Sequence, residues 1–252
     1  MRRDYHIHTE YSYDSKLKAI DLIDKAIQNN YKAVAITEHL DLLPWELSSF
    51  GCPSFRKYTQ SVAQLKDRYA SSPLRIYCGV EVGDYQQVRD QAREFINLLE
   101  FDLILGAVHF LADHTNVAVP LRRPLDAKEI TDYYRQNLAL VTDCDIAALA
   151  HLGVYKRYYG SIPDESHCHS LLRDIFQTMI ARGIALELNF SSLRKPYGRI
   201  IPEPGQLELY RDLGGKLFSI GSDSHHLDHF DCRYPDLPAW ISDNIIDLPV
   251  SS

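Results

Sequence analysis

Six short apolar runs in this chain each end in a histidine or a carboxylate, and that recurrence narrows the fold before anything else does. Asp4-Tyr5 leads into His6-Ile7-His8, and Val34-Ala35-Ile36-Thr37 leads into Glu38-His39. Gly79-Val80 precedes Glu81, Gly106-Ala107-Val108 precedes His109, and Ala148-Leu149-Ala150 precedes His151. The last is Gly221-Ser222-Asp223-Ser224-His225. Residues two apart on a strand share a face, so the His6/His8 pair points one way while Tyr5 and Ile7 point the other. Any one of these residues, taken singly, reads as a histidine or acid at a loop edge. Six at matching positions need a shared cause. Strand C-terminal ends are where barrels and open α/β sheets build their sites.

The rest of the chain supports such a sheet. Strands are predicted over Asp4–His8, Ala33–Thr37, Arg75–Val82, Leu103–Val108, Ile146–Ala150, Ile184–Asn189 and Leu217–Gly221. Helical patterns lie between them, over Leu17–Asn30, Phe55–Ala70, Ala127–Val141, His167–Arg182 and Pro204–Leu213. Leu22, Ile23, Ala26 and Ile27 give the first helix its apolar stripe. Gly183, following Arg182, is placed to stop the fourth. Seven strands alternating with helices imply a parallel sheet. A (β/α) barrel is the simplest closure, and a doubly wound open sheet has the same alternation. No linker or fixed-period repeat divides the 252 residues, so one domain over 1–252 is expected.

Imidazoles and carboxylates together are the ligand set of zinc, iron and manganese. Their number exceeds what one tetrahedral ion takes, so two or three metals are expected. Asp14 follows the first strand and reads either as a ligand or as the N-cap of the first helix. His167-Cys168-His169 opens an amphipathic helix and reads as exposed surface. His226 and His229 follow the last motif, as supporting or plain loop residues. Lys156-Arg157 and Arg194-Lys195 fall on loops after ligand-bearing strands, where Arg forks and Lys point charges suit phosphate oxygens. Asn189, at the end of the sixth strand, is placed to donate to a substrate oxygen or to tie down its own loop. Arg122-Arg123 read as surface charges.

The net charge of −7 argues against a phosphate-backbone grip on nucleic acid. The five cysteines, Cys52, Cys78, Cys144, Cys168 and Cys232, are odd in number and never spaced as CxxC, which points to a reducing, cytoplasmic setting. No apolar run reaches the roughly 18 residues of a membrane span. A local basic patch could still bind a small anionic molecule, because steering depends on the local field and not on net charge.

Taken in order, His6-x-His8-Thr9, Thr37-Glu38-His39, Glu81, His109, His151 and Gly221-Ser222-Asp223-Ser224-His225 resemble the PHP (polymerase and histidinol phosphatase) family. The stretches His151–Arg157 and Glu187–Lys195 look closest to its histidinol-phosphatase branch. The resemblance implies a distorted (β/α)7, TIM-like barrel with a trinuclear metal site. It assigns His6, His8, Glu81 and Asp223 to one metal, Glu81, His109 and His151 to a second, and Asp14, His39 and His225 to a third. It makes Arg157 and Arg194 the phosphate-binding arginines. Asn189 and Lys195, on the loop that carries Arg194, are read as substrate-binding beside them, and Asp223, at the attack centre, is the candidate for handling protons. The implied reaction is hydrolysis of L-histidinol phosphate to L-histidinol and inorganic phosphate by a metal-activated hydroxide, a step of histidine biosynthesis. A phosphoesterase acting on another monoester or a nucleotide diester is the alternative, and a non-catalytic metal-stabilised scaffold a third. Glu46, Asp113 and Glu203 are loop acids available to read the substrate's imidazole and ammonium.

Overall fold

The computed structural model describes residues 2–50 and 54–249. Its frame is a seven-stranded parallel sheet whose spatial order is the sequence order. The strands are β1 (Arg2–Asp4), β2 (Tyr31–Asp41), β3 (Arg75–Gly83), β4 (Leu103–Ala107), β5 (Ala148–Leu149), β6 (Ala185–Asn189) and β7 (Phe218–Gly221). Backbone bonds then join the two ends, from Tyr5 N to Ile220 O at 2.8 Å, Asp223 N to His6 O at 2.8 Å and His8 N to Ser224 O at 2.9 Å. The sheet is therefore a nearly closed barrel and not the open, doubly wound alternative.

Helices α1 (Ala19–Gln28), α2 (Pro44–Phe50), α3 (Phe55–Arg68), α4 (Arg89–Ile96), α5 (Ala127–Asp143), α6 (His169–Arg182), α7 (Pro204–Asp212) and α8 (Ala239–Ser242) fill the connections. The expected stripe of α1 is buried at Leu22, Ile23 and Ala26. Both faces of β2 are covered, so Val34, Ala35 and Ile36 are all buried, as a parallel barrel requires. Helix α5 starts with a capping box, Asp126 accepting from Glu129 N while Glu129 accepts from Asp126 N. Helix α6 stops where Gly183 takes φ 68°, and Ile184 N bonds back to Met179 O.

Four elements depart from expectation. The regular β1 ladder ends at Asp4, because past Tyr5 the chain splits its bonds between β7 on one side and Thr37 of β2 on the other. Helix α2 is seven residues of mixed polarity, and α4 buries only Ala92 and Ile96, so neither carries a periodic apolar signal. Strand β2 runs four residues beyond Thr37, which carries Glu38, His39 and Asp41 into the barrel mouth. Cys78, Cys144, Cys168 and Cys232 are unpaired, and Cys52 lies outside the described residues. No helix among the described residues is long and apolar enough to cross a membrane.

Candidate metal centre and active site

The side chains predicted to converge do so at the C-terminal mouth of the barrel. Glu81, at the inward end of β3, is the hub. Its Oε1 lies 2.8 Å from His151 Nε2, 3.4 Å from His6 Nε2 and 3.5 Å from His109 Nε2. Its Oε2 lies 3.0 Å from His39 Nδ1 and 3.4 Å from His8 Nε2. Asp223 Oδ1 lies 3.6 Å from His8 Nε2 and 3.5 Å from His225 Nδ1. Asp14 sits between His39 and His225, with Oδ2 3.6 Å and 3.2 Å from their Nε2 atoms. It does not cap α1, whose Ala19 N is taken by Glu10.

Two of the candidate ligands hold unusual backbone conformations. His151 has φ 27° and Asp223 has φ 51°, a region L-residues seldom enter. Such geometry persists only where the surroundings over-determine it, commonly at functional sites. At Gly221 a Cβ would lie 2.2 Å from Glu187 Oε1 and 2.4 Å from His6 Cβ, so only glycine lets that carboxylate reach that ring.

The donor set fits metal ions. Three groups bring one ligand atom per residue close enough to share a cation: His6, His8 and Glu81; Glu81, His109 and His151; and His8, His39 and His225. His6 Nε2 and His8 Nε2 face each other at 3.1 Å. Glu81 Oε2 and His39 Nδ1 are both buried without a hydrogen bond among the described residues, although they nearly touch. Acceptors aimed at a common point in a dry site call for a cation. The electrostatics point the same way. Burial opposes charge on Glu81, but His6 and the imidazoles of His109, His151 and His39 outweigh it and hold the carboxyl well below its usual range. Burial likewise opposes charge on Asp223, yet Arg157, His6 and His225 keep it ionised. Burial, with His39 and His225, pushes His8 well below the usual imidazole value, the neutral form a ligand needs. Burial opposes charge on His6, His39 and His109 as well, but the neighbouring carboxylates outweigh it and raise all three, so these acids draw positive charge toward themselves.

Several supporting acids carry no motif of their own. Glu187 Oε1 takes His6 Nδ1 at 2.7 Å, and its Oε2 accepts from His151 N at 2.6 Å. Such a carboxylate–imidazole contact fixes which ring nitrogen faces a metal. Asp41 lies 3.7 Å from His39 Nδ1 and 3.9 Å from His109 Nδ1. Asp84 accepts from the backbone of His109 and Phe110, and Glu38 from Thr9 N and the hydroxyls of Thr9 and Ser12. The available signal was positional. Asp41 stands two residues beyond His39 on β2, and Glu187 stands two before Asn189 on a strand buried throughout.

The basic residues separate into two kinds. Arg157 Nη1 bonds Asp223 Oδ2 at 2.7 Å and Ser191 Oγ at 3.3 Å, and its Nη2 bonds Ala118 O at 3.1 Å. Arg194 Nη2 bonds Ser222 O at 2.7 Å and Asp223 O at 3.3 Å. Arg157 Nε, Arg194 Nε and Arg194 Nη1 remain buried without partners among the described residues. Lys195 is exposed, 5.7 Å from the centre of the Tyr158 ring.

Lys156 overturns the expectation of a loop cation at the site. It is 1% exposed, clamped by Glu165 Oε2 at 2.7 Å and Glu203 Oε1 at 2.6 Å, because its loop turns it inward while Arg157 turns toward Asp223. That contact also removes Glu203 from the acids free to read a substrate. Removing one partner of a buried pair strands the others, so Lys156→Met should lower stability by about 3 kcal/mol, read as a fall in the urea midpoint at unchanged slope. An unshifted midpoint would deny the clamp any structural role. Asn189 is fully buried, with Nδ2 on Glu187 and Oδ1 taken by Ser191 N and Oγ. Its amide is spent on its own loop, the second of the two roles expected for it, and not on a substrate oxygen. His167 and His169 are exposed, as expected.

Relatives carry the same architecture. Residues 4–191 match the family described as PHP domain. A probable histidinol-phosphatase of Clostridium acetobutylicum is 27% identical over 89% of this chain and 87% of its own length. The histidinol-phosphatase of Lactococcus lactis is 24% identical over 88% and 83%. The crystal structure of histidinol phosphate phosphatase from that organism, complexed with zinc, L-histidinol and phosphate, superposes with TM-score 0.79 at 23% identity, covering 96% of this chain and 93% of that one. A putative histidinol phosphatase from Listeria monocytogenes gives TM-score 0.81 at 21% identity, covering 92% and 98%. Strand β7, with Asp223 and His225 after it, lies past the matched segment yet closes the same barrel. The chain belongs to the PHP domain family.

Proposed function

We propose that this protein is a metal-dependent phosphomonoesterase that hydrolyses L-histidinol phosphate to L-histidinol and inorganic phosphate, in histidine biosynthesis. One observation carries the phosphatase part. Buried guanidinium N–H groups of Arg157 and Arg194 stand unspent beside a cluster built to hold cations. A phosphate monoester dianion needs that pairing. The substrate's identity rests on the relatives named histidinol-phosphatase, which match over most of their length.

Three overlapping donor groups support a reading of three ions, with zinc, iron and manganese the candidates from the donor chemistry. His6, His8, Glu81 and Asp223 would hold one, Glu81, His109 and His151 a second, and Asp14, His39 and His225 a third. When bound, these ions supply Lewis-acid charge and acidify water. The remaining work belongs to the chain. Arg157 and Arg194 grip phosphoryl oxygens and stabilise the charge that grows in the transition state. Lys195 adds a more distant positive charge at the rim. Asp223, held ionised by Arg157, suits acceptance of a proton from attacking water, and is ill placed to donate one to the leaving alkoxide. The cavity that Arg157 and Asp223 line has a volume of about 110 Å³.

Phosphate release from a panel of phosphomonoesters at equal metal loading tests the reading. The kcat/KM for L-histidinol phosphate should exceed that for a simple alkyl phosphate by about a hundredfold, near 2.7 kcal/mol of differential transition-state binding. A flat profile would leave the phosphatase chemistry and remove the biosynthetic substrate. Turnover of a diester alone would favour the nuclease alternative.

A further inference from the structure

The reaction as proposed leaves one buried carboxylate of the cavity without a task. Glu46, in the first turn of α2, is 5% exposed and lines the same space as His39, His109, Asp223 and Arg157. Its Oε2 is buried with no hydrogen-bond partner among the described residues. No Lys or Arg among those residues pairs with it, whereas Glu165 and Glu203 share Lys156. Asp41 Oδ1 and Asp84 Oδ2 are likewise without a partner, but each of those carboxylates accepts through its other oxygen, Asp41 from the Tyr13 hydroxyl and Asp84 from two backbone N–H groups, while Glu38 is engaged by Thr9 and Ser12 and Glu187 by His6 and His151.

Position adds a direction. The charges that act on Glu46 are Asp41, His109 and Asp84, while Arg157 acts on Asp223. Glu46 thus lies within the field of two acids and one imidazole, while Arg157, which lines the same cavity, is paired with Asp223. A carboxylate buried among other acids without a partner is costly unless a cation arrives. Burial, reinforced by Asp41, pushes Glu46 up to about 8, the expected signature of that missing partner. Of the three acids open at the sequence level, Glu203 is consumed by Lys156, and Asp113 is exposed with Oδ1 accepting from Thr115 N. Only Glu46 faces the cavity.

We infer that Glu46 binds the cationic group, ammonium or imidazolium, carried by the phosphomonoester whose phosphoryl end lies at Arg157. This rests on the phosphomonoesterase reading and makes Glu46 a specificity-determining residue. The ester is selected by charge at both ends, and a neutral alkyl phosphate leaves Glu46 unpaired.

The test compares kcat/KM for aminopropyl phosphate, imidazolylethyl phosphate and butyl phosphate in the metal-loaded protein and in Glu46→Gln. The unsubstituted protein should prefer one or both cationic esters over butyl phosphate by about tenfold or more, and Glu46→Gln should erase that ratio, consistent with loss of one charge-assisted contact. Glu46→Asp should restore part of it. Which cationic ester responds tells ammonium from imidazolium. A ratio that survives Glu46→Gln overturns the inference. So does an equal fall on all three esters, which would place Glu46 in the hydrolytic machinery. Calorimetric titration with L-histidinol needs no turnover and separates the two failures. Tight binding lost in Glu46→Gln, with no ester hydrolysed, would refute the phosphatase reading alone. Binding indifferent to Glu46→Gln would refute the role given to Glu46.

Discussion

Glu81→Gln should abolish turnover while leaving the barrel folded, with kcat falling about 10⁴-fold, near 5.5 kcal/mol of lost transition-state stabilisation. The size follows from the hub position. One carboxylate lies within 3.5 Å of imidazole nitrogens from His6, His8, His39, His109 and His151, and it belongs to two of the three ligand groups. Supporting contacts around metal ligands already cost about 10–100-fold when removed, and a ligand shared between two groups stands above them. The amide keeps volume and shape, so core packing is not disturbed. It loses the negative charge that balances the surrounding imidazoles and offers one acceptor where there were two. Metal analysis of Glu81→Gln purified without chelators should show fewer ions per chain than the unsubstituted protein, with an unchanged far-ultraviolet spectrum. Full metal content with full activity would remove Glu81 from the centre of the site.

The candidate ligands were legible because a strand writes its geometry into the sequence. A residue that ends an apolar run sits at the barrel mouth, and a residue two further on shares its direction. That logic reached His6, His8, His39, Glu81, His109, His151, Asp223 and His225 without a contact map. It stops where direction depends on another segment. Lys156 and Arg157 are adjacent and chemically alike, yet one is buried against Glu165 and Glu203 and the other meets Asp223. The acid that decides this, Glu203, lies 47 positions away, and no local period encodes the pairing. Helix α2 is hidden for a related reason. Its seven residues owe their fold to what lies beneath them, and Glu46 is placed over the cavity by that packing. Glu187 and Asp41 were within reach of the two-residue rule, but a carboxylate inside an apolar run reads first as an interruption.

Arg157→Ala should lower kcat/KM for L-histidinol phosphate by about 10³-fold, near 4 kcal/mol, at the upper end of what one preorganised donor to a developing anion supplies. Two losses combine. The buried Nε–H that stands ready for a phosphoryl oxygen disappears, and so does the 2.7 Å contact that holds Asp223 Oδ2. Without Arg157, the largest influence lowering the Asp223 pKa is gone while its burial remains, so its pKa should rise. The sign then follows. Asp223 must be ionised to accept a proton, so the acid limb of the pH–kcat profile should move to higher pH in Arg157→Ala. Arg157→Lys should recover the charge without the planar fork, restoring part of the rate and most of the pH profile. Arg194→Ala should cost only about tenfold, near 1.4 kcal/mol, because one of its terminal nitrogens is committed to the carbonyls of Ser222 and Asp223 and never meets substrate. If Arg157→Ala and Arg194→Ala both leave kcat/KM unchanged, the anion end of the cavity lies elsewhere. If Arg157→Ala slows turnover with its acid limb unmoved, the guanidinium serves the phosphate alone and Asp223 draws its ionisation from the imidazoles around it.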